Sequence, residues 1–316
     1  MSDDKFNFNF DLPEKSNVMP TILTPDTTIN FRCHKGISCF NACCKHADIT
    51  LTPYDIIRLK QRTGQTSEQF LKQYTVPFQM DADGLPGVKF RTTEDGACLF
   101  MKEGEGCTIY EDRPTSCRYY PLGNLAMKNA EQAHETQHFV LVQEEHCKGH
   151  EEDRPIKIQD YRNEQGLEDY DGFNKEFFQL ILKKKSMGPG VGKPPEMSLQ
   201  LFFMANYDMD RFRRFVLSDN FKRTYDLPQD IYDTLEADDV ALMHFGFQLL
   251  RQVLFNEVTL PLFDGTLEKR VEERKEVIEL RRKLEAEMAK AKDPYMTYKA
   301  EVEEESENLQ KEAKKD

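Results

Sequence analysis

The stretch Cys33-His-Lys-Gly-Ile-Ser-Cys39-Phe-Asn-Ala-Cys43-Cys44 packs four cysteines into one short segment of the chain. A later group has the spacing Cys98-x8-Cys107-x9-Cys117, and Cys147 follows as a single cysteine. All eight cysteines of the 316-residue chain therefore lie in its first half. This confinement predicts one region organised by cysteine chemistry, and a second region built without it.

Clustered thiols in a chain without an export signal are more typical of metal ligands than of disulfides, and a chain of this length does not need cross-links to fold. Buried free cysteines are a third interpretation, but these cysteines alternate with glycine and charged residues rather than with apolar ones. Four thiolates satisfy one zinc ion or one iron–sulfur cubane, so eight could serve two sites. The predicted metal ligands are Cys33, Cys39, Cys43, Cys44, Cys98, Cys107, Cys117 and Cys147.

The adjacent pair Cys43-Cys44 bears on the identity of the metal. If residues 39–44 were helical, Cys44 would point about 100° away from Cys43, which suits a multi-iron cluster better than a single zinc ion. We therefore expect an iron–sulfur centre in preference to zinc, with zinc kept as the alternative. His46, His146 and His150 are further candidate ligands, and Lys45, Arg113 and Arg118 are candidate cations that would lower thiol pKa values.

Composition and charge limit the function classes. With 39% apolar residues the chain can bury a substantial core, and its formal net charge of −13 disfavours binding to nucleic acid or to an anionic membrane surface. The N-terminus lacks a basic segment followed by an apolar one, and no apolar run approaches a membrane span. These features predict a cytoplasmic protein with neither nucleic acid nor membrane as a partner.

Helix-start signals occur just after the first cysteines. Thr52-Pro53-Tyr54-Asp55 and Thr66 with Gln69 each have the pattern of a helix cap. Residues 81–121 contain many glycines between short apolar runs such as 88–90 and 107–110, which predicts short antiparallel strands. A further predicted strand at 139–142 leads to Cys147, so we expect this last cysteine to return to the first ones.

The second half has helical periodicity. Aromatic stripes around Phe173–Ile181 and Phe212–Val216, and a helix starting near Asp238, are interpreted as core. Residues 267–292 are mostly Glu, Lys and Arg with a narrow apolar seam, which predicts a long charged helix that could bind a protein partner.

The predicted fold class is α+β: a mainly helical protein with a small antiparallel β region in a cysteine-rich metal-binding lobe, followed by an all-helical C-terminal half. The predicted domains are an N-terminal arm (1–27), a cysteine-cluster domain (28–154), a helical domain (155–262), and a charged helix with a tail (263–316).

The segments Cys39-Phe-Asn-Ala-Cys43-Cys44, Ile49-Thr-Leu-Thr-Pro-Tyr-Asp-Ile-Ile-Arg-Leu59 and Cys107-Thr-Ile-Tyr-Glu-Asp-Arg-Pro-Thr-Ser-Cys117-Arg-Tyr-Tyr-Pro121 resemble the YkgJ-type cysteine-cluster family over residues 30–150. That family is described as a putative zinc- or iron-chelating domain. The resemblance implies metal chelation through the matching cysteines, with Cys147 as the least secure match.

Three functions stay open at this point. The leading one is a metal-binding protein with an iron–sulfur or multi-iron centre in a structural, sensing or redox role. The alternatives are a zinc-stabilised adaptor, and an enzyme of the flagellin lysine-N-methylase type, which a branch of the family resembles and which uses S-adenosylmethionine. Catalytic and methyl-donor-binding residues are not assigned, so the sequence leaves open whether the protein is an enzyme.

Overall fold

The computed structural model describes residues 21–126, 137–187 and 194–266, together with residues 275, 279 and 283. These residues form two compact units, one within 1–222 and 227–260, and the other within 223–226 and 261–316. The predicted domain boundaries at 27, 154 and 262 stay predictions. The charged helix 267–292 lies outside the described residues except at positions 275, 279 and 283, each of which is helical.

Four small antiparallel sheets hold the first half together, which confirms the predicted fold class. Strand β1 (Thr28–Asn30) pairs with β9 (Pro155–Lys157), so the two ends of the cysteine-containing segment lie side by side. Strands β2 (Thr50–Leu51), β4 (Pro86–Phe90) and β3 (Thr75–Gln79) form a three-stranded sheet in that order. The other two sheets pair β5 (Met101–Lys102) with β6 (Gly106–Cys107), and β7 (Leu122–Ala126) with β8 (Gln137–Leu141).

Helices α1 (Pro53–Thr63) and α2 (Ser67–Tyr74) begin where the sequence predicts. Each starts with a complete capping box, from Thr52 and Asp55 in α1 and from Thr66 and Gln69 in α2. Helix α1 ends at Gly64, whose φ of 66° is the left-handed conformation that glycine adopts at little cost.

One strand prediction is wrong in part. The predicted strand at 107–110 ends at Cys107, and Tyr110–Asp112 form a 3₁₀ helix instead. The backbone N–H of Asp112 donates to the carbonyl of Ile109 at 2.9 Å, and the Asp112 carboxylate accepts from Arg58 of α1 at 3.0 Å.

Helices make up most of the second half. After α3 (Thr115–Tyr119), which belongs to the first half, the described helices are α4 (Ile158–Glu164), α5 (Leu167–Ser186), α6 (Glu196–Tyr207), α7 (Met209–Val216), α8 (Asp219–Lys222), α9 (Gln229–Ala237) and α10 (Asp239–Phe255). The predicted aromatic stripes fall on α5, α7 and α10. Their role as core is confirmed for Phe177, Phe212 and Phe245, which are buried, and is wrong for Phe178, Phe215 and Val253, which are exposed. Helix α6 is not among the sequence predictions.

Two apolar cores support these elements. Ile29, Phe31, Phe139 and Ile156 belong to the core that joins β1, β8 and β9, whereas Phe202 belongs to the core of the helices. Helices α5, α6 and α10 contact α1, so the helical half packs against the first helix after the cysteine-rich stretch. In the part of the chain that the structure describes, no helix is long and apolar enough to cross a membrane.

In the second unit, Tyr225 pairs with Leu262 in an isolated antiparallel bridge. The backbone N–H of Asp226 donates to the carbonyl of Pro261 at 3.1 Å, and that of Phe263 donates to the carbonyl of Thr224 at 3.3 Å.

Candidate metal centre

The eight cysteines lie on loops and short elements that the rest of the fold brings together. All eight are free thiols, so the disulfide interpretation is not supported. Cys33 and Cys39 lie on the loop after β1, Cys43 and Cys44 in the 3₁₀ helix Ala42–Cys44, and Cys98 before β5. Cys107 is in β6, Cys117 in α3, and Cys147 at the start of the 3₁₀ helix Lys148–Glu151.

A sharp turn presents the adjacent pair Cys43 and Cys44. Asn41 adopts the left-handed conformation with φ of 66° and starts the 3₁₀ helix. The sulfur atoms of Cys43 and Cys44 are 3.9 Å apart. Two thiolates on one tetrahedral zinc ion are about 3.8 Å apart, given Zn–S bonds of about 2.3 Å. The helical premise for disfavouring zinc is therefore wrong, because the segment is a turn that brings the two sulfurs together.

The last cysteine returns to the first ones, as the sequence predicts. The backbone N–H of Lys148 donates to the sulfur of Cys39 at 3.1 Å. One residue further, the carbonyl of Gly149 accepts from the N–H of Arg32 at 3.0 Å. A Cβ at Gly149 would lie 2.7 Å from the Phe31 ring, so only glycine allows this close approach. The loop with Cys33 and Cys39 is thus fixed against the turn with Cys147.

A second group of main-chain contacts gathers the central cysteines. The N–H of Cys98 donates to the carbonyl of Cys44 at 2.8 Å, and the N–H of Met101 donates to the carbonyl of Cys98 at 3.0 Å. Met101 in turn is the partner of Cys107 in the β5–β6 pair. These contacts place Cys44, Cys98 and Cys107 in one neighbourhood.

Asp55 positions the helix that carries Cys117. Its fully buried carboxylate accepts from the backbone N–H of Thr52, which completes the cap of α1, and also from the backbone N–H and the hydroxyl of Thr115 at 2.8 Å each. The same carboxylate therefore caps α1 and holds the start of α3. Asn174 of α5 supports the junction, since its amide donates to the Thr115 hydroxyl and accepts from the N–H of Tyr54.

The thiols influence one another electrostatically. A hydrogen bond from the Cys44 thiol, opposed by burial, lowers the pKa of Cys43 to about 7. The same hydrogen bond and burial raise the pKa of Cys44. Burial, followed by the ionised thiols of Cys43, Cys39 and Cys147, raises the pKa of Cys33 to about 11. Mutual repulsion of this kind is relieved when a cation binds between the sulfurs.

The cations near the thiols differ in part from the expected ones. Arg113 opposes the effect of burial on the pKa values of both Cys33 and Cys107, but burial outweighs it and both pKa values are raised, contrary to the expectation. Lys45 is paired with Glu103 at 3.2 Å. Arg62 is an addition that the sequence did not suggest, and its guanidinium also opposes the raised pKa of Cys107.

Arg118, the third of the candidate cations, makes most of its hydrogen bonds to the backbone. Its buried guanidinium donates to the backbone carbonyls of Arg113, Glu111 and Gln165 and stacks over the ring of Tyr170, 4.1 Å from its centroid. Arg118 ties α3 to α5, and a cationic side chain in a Cys-Arg sequence could not by itself reveal that its partners are carbonyls.

The histidines have other partners. His34 accepts from the N–H of Gly36 and lies 3.2 Å from the Glu152 carboxylate. His146 lies 3.4 Å from Glu144. His150 donates from Nε2 to the carbonyl of Val142 at 3.1 Å, and burial lowers its pKa. His46 is exposed.

The donor set fits a thiophilic metal. Its members are free thiols, they come from segments that the backbone fixes in place, and Cys43 is readily ionised. In the described ranges, no three His, Cys, Asp or Glu side chains already converge on one point, so thiols would have to change rotamer to ligate a metal. Main-chain contacts hold the cysteine-containing segments next to one another, and rotation of the cysteine side chains would bring the sulfurs to the metal.

Comparison with known proteins gives the same assignment. Residues 32–179 match the CxxCxxCC family model. Its description is "putative zinc- or iron-chelating domain", and the match covers slightly less than half of the chain. This confirms the family resemblance and supports metal binding by this segment, while leaving the metal undecided. No curated protein matches the chain, and no solved structure does.

The resemblance seen in the sequence ends at residue 150. The CxxCxxCC match extends further, through α4 and into α5. The structure gives a reason. Gln165, Tyr170 and Asn174 contact Arg118 or Thr115 and so fix the segment on either side of Cys117. The sequence signal for these contacts was Asn174, a polar residue in an otherwise aromatic stripe, and its side chain is buried.

Proposed function

We propose that the CxxCxxCC segment binds iron in an iron–sulfur centre, through the thiolates of its eight cysteines. One observation carries the proposal: free thiols from distant parts of the chain lie on segments that hydrogen bonds at Cys39, Cys44 and Cys98 hold next to one another. Such convergence gives little apolar burial and is typical of sites that a metal completes.

The chemistry of the donors favours iron–sulfur over zinc. The gathered side chains are thiols, whereas His34 and His150 are occupied by Glu152 and by the Val142 carbonyl. Iron–sulfur clusters are mostly held by cysteine alone, while zinc sites often include histidine. A location in the reducing cytoplasm would keep these thiols available for the metal.

The role that follows is structural first. The metal would cross-link the loops that contain the cysteines, which have few buried apolar side chains of their own. An iron–sulfur centre would also allow redox or sensing functions. Cys33 and Cys43 are exposed, so a partner could approach the centre next to these two residues.

Anaerobic purification followed by visible absorption and assays for iron, zinc and acid-labile sulfide tests the proposal. We expect brown protein with iron and sulfide in similar amounts. Cys43→Ser and Cys117→Ser should lower both, while Ser38→Ala, a matched change beside Cys39, should leave them unchanged. Colourless protein that contains only zinc would overturn the iron–sulfur assignment.

The distance between Cys43 and Cys44 favours a second candidate, a zinc-stabilised adaptor. The 3.9 Å between their sulfurs suits two ligands of one zinc ion. In this proposal the charged segment 267–292 binds a protein partner, because a net charge of −13 disfavours nucleic acid and anionic membranes. Zinc in place of iron, together with loss of a co-purifying protein when the chain is truncated after residue 266, would support the adaptor. Unchanged association after truncation would contradict it.

A further inference from the structure

Main-chain contacts divide the eight cysteines into two neighbourhoods. On one side, Lys148 donates to the sulfur of Cys39 and Arg32 donates to the carbonyl of Gly149. These two bonds fix the loop with Cys33 and Cys39 against the turn with Cys147. Further along this loop, the Asn41 side chain donates to the carbonyl of Lys102 in β5 at 3.5 Å, so the junction with the other side lies between Cys39 and Cys43.

On the other side, Cys44 accepts from the N–H of Cys98, and Cys107 pairs with Met101 three residues after Cys98. Cys117 joins this side through α3, whose start is held by Asp55 and whose Ser116 hydroxyl donates to the carbonyl of Thr50 at 3.2 Å.

Cys43 lies between the two neighbourhoods. Its sulfur is 3.9 Å from that of Cys44, and in sequence it follows Cys39 by four residues on the loop that Lys148 holds. Without Cys43 the first neighbourhood has three thiols and the second has four. Because a tetrahedral metal takes four sulfur ligands, Cys43 completes the first neighbourhood.

We propose that the cysteines form two four-thiolate sites that meet at the Cys43–Cys44 pair. The Cys33 set is Cys33, Cys39, Cys43 and Cys147, and the Cys44 set is Cys44, Cys98, Cys107 and Cys117. This inference rests on the proposed metal-binding function and adds which thiols act together. In this arrangement the Cys43 and Cys44 sulfurs, 3.9 Å apart, belong to neighbouring sites, whereas the zinc adaptor would place both on one ion. Because the division concerns the donor sets, it can be tested with zinc whichever metal the cell supplies.

The first experiment uses the unaltered full-length chain. Metal-free reduced protein is mixed with Zn²⁺ at about one equivalent per chain. Thiols that do not bind zinc are then blocked with N-ethylmaleimide, and the intact mass of the chain is measured. Two sets predict a large population with four labels, because each zinc ion protects one set. Peptide mapping of the half-labelled species should find the four protected thiols in one set. A single eight-thiol centre predicts only chains with eight labels or none.

Variants give the second test. Cys147→Ser and Cys107→Ser should each lose one of two zinc equivalents, and the double variant should lose both. Cys39→Ser added to Cys147→Ser should lose nothing further, because the two residues share a set. Ser38→Ala is the control, and circular dichroism checks that each variant is folded. Loss of both equivalents from a folded single variant would overturn the division.

Failure of this inference is distinguishable from failure of the proposed function. If the unaltered chain protects none of its thiols at any zinc concentration and holds no iron, metal binding itself is wrong. If it protects all eight together, metal binding stands and the two sets are wrong. If protected thiols come from both sets in the half-labelled species, the membership of the sets is wrong.

Discussion

The cysteine loops (residues 31–47, 96–119 and 144–151) and the helical half (α5, α6, α7 and α10) are stabilised by different forces. In the helical half, Phe177, Phe202, Phe212 and Phe247 are buried among one another, so burial of apolar surface supplies the stability. In the cysteine loops, main-chain bonds and one buried carboxylate fix the backbone while several thiols stay partly exposed. The loops thus need an added cross-link, and the helices do not.

Metal removal should have the largest effect, and it should destabilise the cysteine loops much more than the helical half. A thiolate-bound metal contributes on the order of 10 kcal/mol to folding. We expect chelation to accelerate amide hydrogen exchange in the cysteine loops and in α3, with a much smaller change in α10. Hydrogen exchange with mass spectrometry measures both regions in one sample. Uniform acceleration across the chain would contradict the comparison.

Shortening a buried side chain in the core of the helices should have the opposite result, with lower stability and unchanged metal content. Phe247 is fully buried, so Phe247→Ala should cost about 4 kcal/mol of unfolding free energy through lost burial and a cavity. Metal content should be unchanged in the folded variant. Phe178→Ala is the matched control, since Phe178 is 42% exposed and should cost less than about 1 kcal/mol. Denaturant unfolding and metal assay together check this prediction.

Asp55 links the two regions, so its loss should affect stability and metal together. Asp55→Ala leaves the N–H groups of Thr52 and Thr115 without their acceptor, which should cost about 3 kcal/mol. It should also reduce bound metal by releasing α3 and Cys117. Asp55→Asn keeps an acceptor oxygen and should restore part of the metal.

The capping box of α2 provides the control for Asp55. Gln69→Ala removes an equivalent cap, in which Gln69 accepts from the N–H of the exposed Thr66, with no connection to a cysteine. It should cost about 1 kcal/mol and leave metal content unchanged. Equal metal loss in Gln69→Ala and Asp55→Ala would show that Asp55 acts only through general stability.

The sequence predicts local features well where the signal is local. Thr52 and Thr66 predict their helices because capping depends on residues three apart, and the apolar periods of α5 and α10 predict their buried faces. The return of Cys147 to Cys39 also follows from chain order. The cysteine thiols that could bind a metal are identified from their spacing in the sequence.

Features that depend on distant partners are not predictable in the same way. Asp55 reads as a cap, but its second role requires Thr115 to be next to it in space. Arg118 reads as a ligand-facing cation, and only the fold reveals three carbonyls around it. The turn at Asn41 also departs from the expected helix, because a single residue in the left-handed conformation, which asparagine tolerates better than most residues, leaves no periodic signal in the sequence.

The smallest effect concerns the ion pairs between α1 and α7. Burial opposes ionisation of Asp210, but the Lys60 ammonium at 2.7 Å and the N–H of Ser67 outweigh it and hold the pKa of Asp210 below its ordinary value. Arg213 and Asp239 lie in the same network. A lowered carboxyl pKa contributes stability that is present above the unfolded pKa and is lost as pH falls through the folded one.

Asp210→Asn should therefore remove part of the loss of stability at acid pH, with an effect below about 1 kcal/mol at neutral pH. Thermal unfolding between about pH 6 and about pH 3 measures it. Asp95→Asn, on an exposed turn, is the control. Metal content at neutral pH should not change in Asp210→Asn, because Lys60 and Asp210 hold α1 against α7, and their ion pairs among the described residues are with α7 and α10. A loss of metal there would mean that the helical half positions the cysteines through α1, and that the two regions are less independent than their contacts indicate.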